Sequence, residues 1–438
     1  MPSPAPEPLA TRPLSIWLVN PFDDIPGEGL PPLRYWTLAR ILAARGHDVI
    51  WWSATWSHRR KAIRSTPLGI REDEGFGVRL VAVRPYDRNV SWTRFGSHRD
   101  FGRTFERLAN ESIAAGHLER PDIILASLPP LDSPEAAARL ARTLDATFVL
   151  DVMDLWPETF ERLLPGPAFL RHLIAPWLLG RMARRRKAIV GAADAVSAST
   201  RTYADTILKE APADMPRHVC QLGAYLEEFP APPRLVNHVP LDDPTTLPSA
   251  AAEAPLQCVY AGSLESGQDV ETLVAAARLL SATGVAVALH VAGTGKLEAS
   301  LRSADQSGSC RLQCHGLLGR QEYAQLLRRC DVGLVLVKPE SLVAVPYKAC
   351  DYAAAGLAIV NSLPGELQTL VDEHAAGVFY AAGNAASLAR AIASLAGDRA
   401  ALLAMRHGSR RLAATVFDRE RTYGRFADWL ETLPADRS

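Results

Sequence analysis

The stretch VPYKACDYAAAG, Val345 to Gly356, places an isolated Lys348 three residues before Asp351 at the start of an expected helix that closes on small residues and a glycine. A cation and a carboxylate one turn apart share a helix face. The ammonium suits phosphate oxygens, and the carboxylate accepts hydrogen bonds from a pair of hydroxyls. Other turns of the same half place glycines where a strand gives way to a helix. VYAGSLESGQD holds Gly262 and Ser263, HVAGTGKLEASL holds Gly293, RLQCHG ends at Gly316, and NSLPGE holds Gly365 and Glu366. Glycine lets backbone N–H groups approach a phosphate without interference from a Cβ. The run AGTGK is too short for a Walker A loop, so ATP hydrolysis is not supported. Together these turns outline a pocket for a nucleoside diphosphate.

The first half offers acids instead. LDVMDLWPE sets Asp151, Asp154 and Glu158 at the end of an expected strand, where carboxylates act as general base, orient hydroxyls or cap a helix. For Asp154 the competing structural role is the N-cap of the following helix. The loop NPFDDIPGEGLPPLRYW contributes Gly27 and Gly29, spaced for backbone access but not as a dinucleotide fingerprint. FLRHLIAPWLLGRMARRRK puts Leu170, Leu173, Ile174, Trp177, Leu178 and Met182 on one stripe ahead of Arg184, Arg185, Arg186 and Lys187. A basic amphipathic helix of that kind suits an anionic bilayer or, equally, a core with a solvated basic end. WSHRRKAIR adds a second basic cluster.

The elements that must position these residues follow from hydrophobic runs alternating with amphipathic patterns. SIWLVN, DVIWWSA, VRLVAV, DIILAS, TFVLDV and AVSAS are the expected strands of a first domain, and LQCVYAG, AVALHVAG, RLQCHG, VGLVLV, LAIVNS and GVFYA those of a second. Strands that are apolar throughout and alternate with helices predict parallel sheets covered on both faces. The expected organisation is a disordered segment 1–14, a first Rossmann-like domain 15–230, a Pro-rich linker 231–255, a second Rossmann-like domain 256–414, and a terminal helix and tail 415–438.

Length, 438 residues, demands more than one core, and 48% apolar with 22% charged residues excludes a disordered or collagen-like chain. Net charge is zero, yet Lys and Arg outnumber Asp and Glu by 29 to 25 up to Tyr225 and trail by 19 to 23 beyond it. That asymmetry predicts an anion-facing surface on the first half but no bulk nucleic-acid binding. No apolar run is long enough to span a bilayer, and none near the start makes an export signal. The expected location is the cytoplasm, with peripheral attachment to the inner membrane face. The six cysteines are expected as buried thiols. Cys310 and Cys314, on one face of a strand, stand ~13 Å apart at strand rise, too far to share a metal.

The ordered set RGHDVIWWS, LDVMDLWPE, AVSAS, YAGSLESGQDVETLVAAARLL, VAGTGKLEASLR, VPYKACDYAAAGLAIVNS and PGELQTLVDEHAAGVFY resembles the family 4 glycosyltransferases of the GT-B fold, particularly the bacterial cell-envelope and polysaccharide branch. The resemblance runs from about Ser15 to Ala381. It implies an α/β protein with two doubly wound Rossmann-like domains facing across a cleft and a C-terminal helix crossing back to the first. It also implies retaining, metal-independent transfer of a sugar from a nucleotide donor, a UDP or GDP type, to a lipid-linked or saccharide acceptor. No cofactor is implied, because the nucleotide sugar is a substrate. Asp351 matches the second acid of the family's paired-acid motif, which holds the ribose. The first acid's place is taken by Val343, with Glu340 three residues earlier, and the loop GSLESGQD carries none of the family's cations.

Leaving-group charge must then be met by another cation. Lys348 is the first choice over Lys296, Arg320 and Lys338. Asp154 and Glu158 would serve the acceptor, and Gly27, Gly29, Gly262 and Gly293 would give backbone access. Two alternatives remain: a catalytically silent relative that binds nucleotide and regulates, motivated by the missing acid and cations, and a sugar-nucleotide epimerase of the same fold.

Overall fold

The computed structural model describes residues 12–433 apart from 29–31, 65–73, 90, 164–167, 231–253, 265–266, 299–300 and 302–308. The described residues form two compact units. One runs to Cys220 and resumes at Tyr423; the other spans Gln221–Thr422.

The first unit is built from β1 (Ser15–Val19), α1 (Arg34–Ala44), β2 (Asp48–Ala54), a hairpin of β3 (Trp56–Ser57) and β4 (Ala62–Ile63), β5 (Gly77–Val81), α2 (Trp92–Ala114), β6 (Ile123–Leu128), α3 (Asp132–Leu144), β7 (Thr147–Val152), α4 (Glu158–Leu163), α5 (Ala168–Ala192), β8 (Ala195–Ala198), α6 (Arg201–Ile207) and β9 (Arg217–Val219). Its seven-stranded sheet runs β5-β2-β1-β6-β7-β8-β9, with every pairing parallel. Ile16, Trp17, Leu18 and Val19 are completely buried, as a strand covered on both faces requires. Direction of winding reverses at β1, so loops after β1 and β6 diverge at the carboxyl edge and leave a crevice there.

A buried ion pair joins these elements. Arg34 of α1 donates from Nε and Nη2 to Asp151 of β7 at 2.8 and 2.7 Å. Tyr35 Oη and Ser197 Oγ also donate to that carboxylate, at 3.1 and 2.5 Å. The third guanidinium nitrogen donates to the Cys220 carbonyl at 2.7 Å. Asp151 is thereby fully used in the core and unavailable to a ligand.

The second unit comprises β10 (Leu256–Ala261), α7 (Val270–Ala282), β11 (Val287–Ala292), β12 (Cys310–Gly316), α8 (Arg320–Arg329), β13 (Val332–Val335), α9 (Tyr347–Ala354), β14 (Ala358–Asn361), α10 (Glu366–Glu373), β15 (Gly377–Phe379), α11 (Ala385–Gly397), α12 (Arg399–Leu412) and the first residues of α13 (Arg419–Thr432), whose remainder from Tyr423 belongs to the first unit. Its six strands run β12-β11-β10-β13-β14-β15, again all parallel. The switch point lies between β10 and β13.

The last helix does cross back. Tyr423, Phe426, Ala427 and Leu430 lie in the first unit's core with Leu14, Ile16, Tyr35 and Leu42, and Arg34 lies over the rings of Tyr423 and Phe426 at 5.6 and 5.0 Å. Residues 221–230, expected to close the first domain, fall in the second unit, where the Ala224 N–H donates to the Phe417 carbonyl at 2.7 Å. The expected linker lies outside the described residues over 231–253, as does the terminal segment over 1–11. All twelve expected strands are present. The long helix α2, α12, the short edge strand β9 and the β3–β4 hairpin were not anticipated. Five cysteines are buried and Cys314 is half-buried, all as free thiols.

Removing one member of a buried ion pair strands the other charge away from water. Asp151→Ala should therefore lower the unfolding free energy of the first unit by about 3–5 kcal/mol, measured by urea denaturation followed through tryptophan fluorescence. A loss under about 1 kcal/mol would show that Arg34 finds another partner or water.

Candidate functional site

The second unit concentrates the predicted residues at its switch point. Lys348, in the first turn of α9, projects beneath the turn that follows β10. Its Nζ lies 4.1 Å from the centre of the Tyr260 ring and donates to Gln268 Oε1 at 3.2 Å. A Cβ on Gly262 would stand 2.9 Å from that Nζ, so the glycine makes room for the ammonium. Among the described residues no carboxylate pairs with it, and burial alone lowers its pKa to about 7. Tyr260 Oη donates within the same turn, lying 2.8 Å from the Ser263 carbonyl and 3.0 Å from Gln268 Oε1.

The backbone beside Lys348 is packed without side chains. Gly293 carries φ +146° at the end of β11, and a Cβ there would fall 1.9 Å from the Gly262 carbonyl oxygen. Gly262 N–H donates to the Ala292 carbonyl at 2.9 Å and Gly293 N–H to the Gly316 carbonyl at 2.7 Å. Glycines at three adjoining strand ends thus stack backbone on backbone. Tyr352 holds the arrangement from below: its Oη accepts the Ala261 N–H at 2.8 Å, and its ring occupies the place that a side chain on Gly333 of β13 would fill.

Asp351 faces a different set of partners. Tyr323 Oη of α8 donates to its Oδ2 at 3.1 Å, and Arg320 stands at 4.0 Å. Burial raises its pKa, opposed by the charges of Arg320 and Arg419. Arg419 is itself buried, donating to the Leu222 and Gly223 carbonyls at 3.1 and 2.6 Å, with the Tyr225 ring 4.8 Å away. Glu366, first residue of α10 after Gly365 with φ +85°, accepts from Gln221 Nε2 at 2.6 Å. The other cations are differently placed. Arg320 is ion-paired with Glu228, Lys338 stands 3.7 Å from Glu271, and Lys296 is exposed. Val343 and Glu340 are both exposed.

In the first unit Asp154 accepts the Leu155 N–H at 2.8 Å and the Thr159 hydroxyl at 3.0 Å, neither of them the N2 or N3 backbone bond of a helix cap. Its pKa is raised, chiefly by burial. Glu158 is ion-paired at 2.5 Å with Arg186, which also holds Glu210. Arg185 is bound to Asp132 and Glu135. Two of the three arginines read as a basic surface are therefore engaged internally, while Arg184 and Lys187 are exposed. Of the apolar stripe, the side chains of Leu170, Leu173, Ile174 and Leu178 lie outside the described residues; Trp177 is exposed and Met182 half-buried. Gly27 lies in the loop after β1 with φ +82°, and Gly29 lies outside the described residues.

Sequence reasoning did not find Tyr260, Gln268, Tyr323, Tyr352 or Arg419. Tyr352 was adjacent to Asp351 in the motif; the others come from distant elements and carry no local signature. Also unanticipated is Asp23 after β1, which accepts the Tyr35 N–H at 3.1 Å and whose pKa burial raises to about 6.

Residues 255–398 match the family model described as glycosyl transferases group 1. The amylovoran biosynthesis glycosyltransferase AmsK of Erwinia amylovora is 24% identical over 189 residues, 42% of this chain and 46% of the relative, so the match spans about half the length of that curated protein. A sucrose-phosphate synthase from Thermosynechococcus elongatus superposes with TM-score 0.69 at 16% identity, covering 97% of this chain and all of that one. HepE of Anabaena, solved with UDP and glucose, gives 0.62 at 14%, covering 96% and 100%. WaaG, a glycosyltransferase involved in lipopolysaccharide biosynthesis, gives 0.60 at 14%, covering 94% and 98%. The fold is the GT-B fold of these structures, and over residues 255–398 the chain is similar in sequence to the group 1 glycosyl transferases.

Gly293 and Gly316 offer a contrast in which steric fit alone differs greatly. Around Gly316, with φ +69°, a Cβ would meet nothing within 4 Å. Gly316→Ala should cost about 1–2 kcal/mol from its left-handed backbone, and Gly293→Ala roughly 3 kcal/mol or more, since backbone must also shift. Urea unfolding of both variants checks the order, and equal losses would contradict the stacked-backbone reading.

Proposed function

We propose that this chain is a glycosyltransferase that moves a sugar from a nucleoside-diphosphate donor, of uridine or guanosine type, to a lipid-linked or saccharide acceptor in the synthesis of an envelope polysaccharide or glycoconjugate. Transfer would be retaining and need no metal. One observation carries the reading: Lys348, without a carboxylate partner among the described residues, stands beside stacked glycines at the switch point of the unit that matches the group 1 glycosyltransferases. Relatives of the same fold solved with UDP or UDP-glucose support a nucleotide-sugar donor.

The chemistry follows from charge. As the glycosidic bond breaks, the departing nucleoside diphosphate gains negative charge, and a positioned cation stabilises that change more than the ground state. Lys348 is the group proposed for this role. Gly262, Ser263, Gly293 and Gly316 are proposed to let the diphosphate approach without large side chains in the way, the Gly262 and Gly293 N–H groups being already donated to the Ala292 and Gly316 carbonyls. Asp351, with lone pairs beyond the one Tyr323 uses, is proposed to hold the ribose hydroxyls. Asp154, with its raised pKa, is proposed to orient the acceptor, and Glu158 to fix α4 through Arg186. Gly365 and Glu366 would close the donor pocket from α10.

Incubation with a panel of UDP- and GDP-sugars should release nucleoside diphosphate slowly and transfer sugar when an acceptor is present. Lys348→Ala should lower transfer by roughly 10²–10³-fold, the loss typical of one transition-state donor. Binding without turnover across the panel would favour the silent relative, and conversion of donor without acceptor would favour an epimerase.

An independent check comes from protonation. Above pH 7 the free amine of Lys348 predominates, and an anionic diphosphate beside it raises its pKa again. UDP binding at pH 8 should therefore take up close to one proton, seen by calorimetry in buffers of different ionisation enthalpy, and affinity should fall as pH rises through that range. A Lys348→Met variant should take up none. Equal uptake in that variant would place the titrating group elsewhere.

A further inference from the structure

The carboxyl edge of the first sheet gathers a second cationic cluster. Arg94, one turn into α2, lies among three aromatic faces, with its guanidinium carbon 5.4 Å from the Phe22 ring, 5.9 Å from Tyr86 and 5.4 Å from Trp156. Its Nε donates to His98 Nε2 at 3.3 Å. Lys61, from the β3–β4 hairpin, lies 4.7 Å from the same Tyr86 ring and donates to Asn89 Oδ1 at 2.6 Å. Tyr86 Oη and His58 Nδ1 are 2.6 Å apart, and Lys61 Nζ stands 3.4 Å from that nitrogen. With Nδ1 accepting, the proton of His58 sits on Nε2 as a further donor.

These two cations differ from six arginines of their unit. Arg34, Arg59, Arg64, Arg84, Arg185 and Arg186 all pair with carboxylates. Among the described residues neither Arg94 nor Lys61 does; the charges of Asp154 and Asp87 act on them only at longer range. The histidines beside them are held neutral by burial and by these positive neighbours, so they add no compensating charge. Two unpaired cations packed on one aromatic ring repel each other, and an arrangement of that kind is stabilised by an anion placed between them.

We propose that Arg94 and Lys61 form an anion site that takes a phosphate or diphosphate ester, with Tyr86, Phe22 and Trp156 as its aromatic walls. The site rests on the transferase reading for its role, which is to hold the phosphorylated end of the acceptor. The ester has two sources with one chemistry, a soluble phosphosugar or an isoprenoid diphosphate. Ile63 of the same hairpin and Trp92 of the same helix are 69% and 91% exposed, offering an apolar flank to the second.

The test uses the full chain with saturating UDP, so that the second unit's cluster is occupied, and titrates inorganic pyrophosphate, farnesyl diphosphate and farnesol by calorimetry. Both diphosphates should bind, and farnesol alone should bind far more weakly. Arg94→Gln with Lys61→Ala should weaken diphosphate binding roughly tenfold or more, as loss of charge-assisted hydrogen bonds does. Lys61→Ala alone, on the exposed hairpin, should weaken it in the same direction if the double variant folds poorly. Tighter binding of farnesyl diphosphate than of pyrophosphate identifies the lipid source; equal binding identifies the soluble one. The UDP isotherm recorded first stands separately as the test of the donor reading. Absence of diphosphate binding, or variants binding within twofold of the unaltered chain, overturns the site.

Discussion

An ammonium packed against a ring with no carboxylate to neutralise it is costly, because desolvation acts on the charged form without a Coulombic return. Among the described residues Lys348 is such a group, and the second unit is arranged around tolerating it. Tyr260 supplies a π face, and Gln268 supplies a neutral acceptor. Gly262 yields the space that a methyl group would take. The rest of the cost is avoided by lowering the pKa to about 7, so that near neutrality the cation exists only part of the time. Glycines at the ends of β10, β11 and β12 pack backbone on backbone beside it, with the Gly262 and Gly293 N–H groups donated to the Ala292 and Gly316 carbonyls.

The first unit shows the opposite solution with the same charges. Arg34 is permanently ionised, and its burial is made tolerable by Asp151, Tyr35 and Ser197, which satisfy both partners of the pair. That pair is structural: it joins α1 to β7 and, through the rings of Tyr423 and Phe426, to the returning C-terminal helix. Pairing, more than burial, therefore separates the scaffold cations from those at candidate sites. Glu158 illustrates the distinction, since its attachment to Arg186 gives a carboxylate at the expected place a job in holding helices together.

Much of the architecture was legible because parallel strands buried on both faces must be apolar along their whole length. TFVLDV was bounded to the residue, and β14 and β15 nearly so. Helix α2 was not, since WTRFGSHRDFGRTFERLANESIA spreads its buried positions thinly among charges and glycines. Within the candidate site the glycines and Lys348 were legible from their place between strand and helix. Tyr260, Gln268 and Tyr323 were not, because a residue that acts through a contact distant in the chain leaves no local pattern; Lys348 and Gln268 are separated by 80 residues and Tyr323 and Asp351 by 28. The Arg184–Arg186 run misled for a related reason: a basic run shows charge but not whether acids on α3 and after α6 neutralise it.

That the second unit's site has a lone lysine while the first unit's cluster includes an arginine has a physical logic. A guanidinium cannot shed its proton within the accessible pH range, so an unpaired one needs permanent shelter, which Arg94 obtains from three aromatic faces. An amine can shed its proton, so Lys348 can remain cheap to bury while the site is empty and become charged when an anion arrives. Charge that appears on binding is of greatest use where the ligand's own charge grows during reaction, as on a departing diphosphate. Charge that is always present suits a group whose phosphate is unchanged by the chemistry. On that argument a lone titratable cation suits the proposed donor site, whereas the proposed acceptor site sets the permanent charge of Arg94 beside the titratable Lys61.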